Sequence, residues 1–115
     1  MAEGLRLCGW TVHRIADVFP DDGQDVTDED WITHGLDQGW VPLSKDGRIK
    51  TRDLEIQPVL DRAAVLFYLD NQQMRTTEMV DRLVAHRDAI HRAVEKGGPA
   101  AYAVRRDRVE RTWPP

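Results

Sequence analysis

One cysteine, Cys8, is all that the 115-residue chain carries, so no disulfide can form within it. A lone thiol fits a reducing cytoplasm. Long apolar runs are missing as well. The longest, residues 63–69, falls far short of the roughly 20 residues that a membrane-spanning helix requires. The opening Met1-Ala-Glu-Gly shows no basic segment leading into an apolar stretch and a small-residue cleavage site, so export is not expected. Positive charge is also in deficit. A formal net charge of −4 gives no global attraction to nucleic acid, and any contact with a phosphate backbone must be local. Neither an internal repeat nor a low-complexity segment is present.

What is there suits one soluble domain: 115 residues with 41% hydrophobic and 31% charged content can bury a single core. The charges are unevenly placed, with carboxylates crowded between Asp17 and Asp30 and arginines between Arg105 and Arg111. An acidic cluster facing a basic patch is compatible with a metal-assisted nuclease, and equally with solvated surface.

Leu5, Leu7 and Cys8 followed by Gly9 read as the end of a helix with a glycine cap. Residues 10–16 alternate apolar and polar side chains and predict a strand. Thr27 is a suitable N-cap for a helix from Asp28 to about Gln38, with Asp30 at the capping-box position and Gly39 closing it. Residues 40–44 predict a strand, although Pro42 suits an edge or a bulge. Residues 52–60 predict a short helix interrupted at Pro58. The continuous apolar run at 63–69 predicts a strand covered on both faces, as in a parallel sheet. Next comes a helix capped by Thr76 or Thr77 and ended by Gly97-Gly98, its stripe carried by Met79, Val80, Leu83, Val84, Arg87, Ile90 and Val94. Residues 100–105 and 108–113 predict a terminal hairpin through Asp107. Alternation of this kind builds an α/β fold: a three-layer α/β/α sandwich around a largely parallel sheet, with a C-terminal β-hairpin.

In open α/β sheets, sites form at the carboxyl ends of strands and the helix N-termini beside them. Asp28, in the first turn of its helix, and Asp46, just past the strand at 40–44, both satisfy that rule. They stand 18 positions apart, room for one helix, a glycine turn and a returning strand. Together with Asp25 and Glu29 they offer the hard oxygen donors that Mg²⁺ or Mn²⁺ needs for phosphodiester hydrolysis. Lys45 and Arg48 flank Asp46 and are placed to neutralise substrate phosphate.

The stretch Asp28-Glu-Asp-Trp-Ile-Thr-His-Gly-Leu-Asp-Gln-Gly-Trp-Val-Pro-Leu-Ser-Lys-Asp46 resembles the part of PIN domains that runs from the third acidic residue to the Thr/Ser-x-Asp motif. Residues 7–18, 25–32, 40–49, 65–71 and 77–79, with Gly98-Pro-Ala-Ala-Tyr-Ala-Val104, are similar to the VapC-type PIN-like toxins of bacteria. The resemblance implies a Mg²⁺-dependent endoribonuclease using water as nucleophile and restrained by an antitoxin protein. Asp28 would be its third acidic ligand and Asp46 its fourth, with Asn71 near the site. It also implies an opening strand ending in Phe-Leu-Asp, whose aspartate is a principal metal ligand. No such segment precedes Leu5, so the expectation is a PIN-like domain over 1–115 that is incomplete at its N-terminus.

Plainer readings stand beside these. Asp28 and Glu29 could serve only the helix dipole, Asp46-Gly47 could be a hairpin turn, and Asp25 could be a loop residue. His13, His34, His86 and His91 are expected at the surface or satisfied, Cys8 buried, and Trp10, Trp31 and Trp40 in the core. Arg105, Arg106, Arg108 and Arg111 are the best candidates for touching RNA backbone, or else an ordinary charged edge. Two further functional expectations remain open: a remnant that binds RNA or antitoxin without turnover, and self-association through an unpaired strand edge.

Overall fold

The structure is a computed structural model describing residues 2–19, 23, 25–44, 53–69 and 73–114. Its centre is the apolar run. Strand β2 (Val65–Leu69) buries all five of its residues, as does β3 (Ala100–Val104), paired with it in parallel. A strand covered on both faces has no use for polar alternation. Strand β1 (Leu43–Ser44) lies parallel on the other side of β2, and β4 (Val109–Trp113) lies antiparallel to β3, giving the order β1-β2-β3-β4. The parallel sheet and C-terminal hairpin are those expected from the sequence.

Alternate residues of β2 and β3 feed two separate cores. Val65, Phe67, Leu69, Tyr102 and Val104 meet Leu5 of α1 (Ala2–Leu7), Met79 and Leu83 of α5 (Thr76–Ala85), and Ile90 and Ala93 of α6 (Arg87–Lys96). Leu66, Tyr68, Ala101 and Ala103 meet Ile32 of α3 (Asp28–Asp37) and Ile56 and Val59 of α4 (Asp53–Asp61) on the opposite face. Helices therefore cover both sides of the sheet, in three layers. Close approach of α1 to α5 depends on Gly4, where a Cβ would sit 2.8 Å from a Val80 methyl.

Several local expectations are corrected. Residues 10–14 form no strand, and a short helix, α2 (Ile15–Val18), follows them. Their apolar side chains do not alternate against a neighbouring strand but line a cleft. The strand at 40–44 is shortened to β1; Pro42 precedes it at the sheet edge, where its carbonyl accepts from the Phe67 N–H (3.0 Å) and its missing donor costs nothing. Helix α4 runs through Pro58 instead of breaking there, with Pro58 buried.

The single long helix of the sequence reading is two. Helix α5 starts at Thr76 itself, so neither threonine is its N-cap; that position is Arg75, with no side-chain cap. A break at His86 (φ −105°, ψ 16°) separates α6, and there the His86 Nε2 donates to the Arg106 carbonyl (3.2 Å). Past the break the buried stripe passes through Ala93, leaving Val94 38% exposed. Cys8 is exposed rather than buried, because α1 ends at Leu7 and the thiol falls in the turn that follows. Among the described residues no helix is long and apolar enough to cross a membrane.

Candidate functional site

The acidic end of α3 is built by a cap. Thr27 has extended backbone and its Oγ1 accepts from the Asp30 N–H (3.1 Å), satisfying one of the donors that a helix start leaves open. The cap fixes Asp28 as the first helical residue, half-buried, with Oδ1 accepting from the Trp31 indole Nε1 (2.9 Å). Trp31 in turn packs on the core formed by Ile32, Ile56 and Val59. The carboxylate is thus held in place by a ring that the second core immobilises. This contact was available from sequence, since residues three apart on a helix are neighbours. Glu29, Asp30 and Asp25 are exposed.

Asp46, Lys45, Arg48 and Asn71 lie outside the described residues. Lys45 and Asp46 follow directly on β1, and Asn71 comes two positions after β2 ends at Leu69. Among the described residues no three His, Cys, Asp or Glu side chains converge as a metal site, so Asp28 and Asp25 do not by themselves make one. The hairpin-turn alternative for Asp46-Gly47 falls outside the described residues too.

A cleft of about 940 Å³ lies beside β1, between residues 9–15, the second half of α3, residues 39–43 and α6. Trp10, Trp31 and Trp40, three of the four tryptophans, line it. The His13 imidazole stacks on Trp40 (centroids 3.7 Å apart, planes at 11°), and His34 meets both Trp40 and Phe19 edge-on. Trp10 and Trp31 do back the two cores, as expected, but their other sides and Trp40 face this cleft.

The terminal arginines are less available than their sequence density suggested. Arg105 Nε donates to Glu110 Oε2 at 2.7 Å, and Arg108 reaches the same oxygen at 3.1 Å. The two guanidiniums, Arg105 first, hold the Glu110 carboxyl below its ordinary range. A depressed carboxylate stabilises the fold above its unfolded pKa, and that contribution is lost as pH falls through the lower folded value. Carboxyl NMR titration is expected to place the Glu110 midpoint below that of an ordinary glutamate, and Arg105→Gln to move it upward. A midpoint unmoved by Arg105→Gln would remove this clamp. Asp17 is depressed in the same sense by Arg14, which donates to both its oxygens (2.9 and 3.0 Å).

Comparison with known proteins agrees with this architecture. The family described as "PIN like domain" matches residues 1–71. A protein of Mycobacterium tuberculosis (strain ATCC 25618 / H37Rv) named "Putative ribonuclease VapC45" is 32% identical over 88 residues, covering 76% of this chain and 64% of that protein. The chain therefore spans a little under two thirds of the length of the curated relative it matches. No solved structure matches it. With a three-layer arrangement, a largely parallel sheet and a family match over more than half its length, the chain belongs to the PIN-like domain family.

Proposed function

We propose that this chain is a metal-dependent endoribonuclease of the toxin–antitoxin type, hydrolysing RNA phosphodiester bonds in the cytoplasm under the restraint of an antitoxin protein. Family membership and the ribonuclease name of its relative support the reaction class. The observation that carries the reading is the Asp28 carboxylate, set at a helix start by the Thr27 cap and steadied by the Trp31 indole. A helix that turns back into a strand packed beside it runs antiparallel to that strand. Chain order, α3 and then β1 after a short turn, supports bringing the start of α3 to the end of the sheet where β1 finishes, the end where α/β sites form.

Asp28 and Asp46, with Asp25 beside them, would hold Mg²⁺ or Mn²⁺; all three offer hard carboxylate oxygen. Such a cation supplies charge neutralisation at the phosphoryl group and lowers the pKa of water. Lys45 and Arg48 would receive phosphate, Arg48 through a bidentate contact, and Asn71 would approach from the end of β2. The test is cleavage of single-stranded RNA by the purified chain. Products are expected to accumulate with Mg²⁺, to stop with EDTA and to resume when Mg²⁺ is added in excess. RNA binding without turnover under all these conditions would replace the enzyme with a catalytically impaired binding module.

A further inference from the structure

Part of the apolar surface left uncovered among the described residues lies in the cleft beside β1. Among the described residues the exposed large hydrophobics are Leu7, Ile15, Val41, Leu60 and Val94, and three of these five, Ile15, Val41 and Val94, line the cleft beside β1. The cleft also carries stacked rings, Trp40 under His13, with the outer side of His13 exposed. Trp10, one of the lining residues, keeps its Nε1 buried, with no hydrogen-bond partner among the described residues.

The cleft does not share the negative charge of the chain as a whole. Among the described residues that line it, Arg14 is ion-paired with Asp17, and Arg87 and Glu95 bring one charge of each sign, while the whole protein carries −4. Arg87 Nη2 leans on the Cys8 carbonyl (3.4 Å). Sequence-tolerant single-strand binding uses aromatic faces for the bases, with arginine beside them for the backbone.

We propose that the cleft between residues 10–14 and β1 is a base-stacking site for single-stranded RNA, in which a nucleobase continues the Trp40–His13 stack on the exposed face of His13. The site would hold RNA away from the acidic end of α3 and so help fix where the strand lies relative to Asp28. This rests on the RNA-directed reading above but not on its metal, because stacking needs no cation.

The test is tryptophan fluorescence of the full chain titrated with an oligoadenylate of about six nucleotides, within the ~4–16 that such sites span. EDTA is present throughout, so cleavage does not enter. Saturable quenching is expected, weakened by His13→Ala and by Trp40→Leu between about fivefold and a hundredfold each, the loss of roughly one stacked base. His13 is exposed, so its alanine variant keeps the fold even if Trp40→Leu does not. Wild-type affinity in folded His13→Ala would overturn the proposal. So would sedimentation showing that the cleft is instead closed by a second copy of the chain beside β1. Cleavage with binding insensitive to both variants would sink the cleft and leave the nuclease standing; sensitive binding without cleavage would do the reverse.

Discussion

Asp46→Asn and Asp28→Asn are each expected to lower Mg²⁺-dependent RNA cleavage by at least about a hundredfold while leaving the melting temperature nearly unchanged. Removing a partner one shell out from a metal already costs about 10–100-fold, so a direct carboxylate ligand should lie at or beyond the top of that range. Asparagine is the informative replacement at position 28. It keeps an oxygen to accept from the Trp31 indole (2.9 Å), whereas alanine would leave that half-buried donor unpaired and confuse lost chemistry with lost structure. Rates for both variants come from single-turnover cleavage of a defined RNA, with circular dichroism to follow the fold. Cleavage at the wild-type rate in folded Asp46→Asn would end the proposed site. Loss in one variant only would mean that the two acids do not share a cation.

How far the sequence announced all this depended on which force shaped each segment. Residues 65–69 were legible because burial on both faces leaves a continuous apolar run, and β2 is that run. The start of α3 was legible because Thr27 caps through a purely local hydrogen bond. Residues 10–16 were misread because the pattern that predicts a half-buried strand is also produced by a segment that turns side chains into a cleft without pairing. The break at His86 was invisible for a different reason. Its imidazole reaches Arg106, twenty positions away, and no helical periodicity encodes a partner on the terminal hairpin. At the site, Asp28 could be picked out by its place in a helix, and its anchoring by Trp31 followed from spacing. The stack of His13 on Trp40 could not, since it joins two segments 27 positions apart that only the fold brings together.

Phe67→Ala is expected to destabilise the fold by about 3–5 kcal/mol, the usual range for emptying a buried aromatic site. Phe67 is 2% exposed at the middle of β2, in register with Leu43 on one side and Tyr102 on the other, and its ring lies over Tyr102 with centroids 5.6 Å apart. Its backbone N–H is also the donor that ties β2 to Pro42. Truncation at this position therefore opens a cavity where three strands meet and where the floor of the cleft is laid. A domain of this size has a total stability of about 6–17 kcal/mol, at roughly 0.05–0.15 per residue, so the loss takes a large share of it. Leu7→Ala supplies the contrast. The same kind of side chain deletion at a residue 90% exposed should stay within about 0.5 kcal/mol of wild type. Urea unfolding of the two variants measures both, and equal midpoints would mean that Phe67 does not sit at the junction of the sheet.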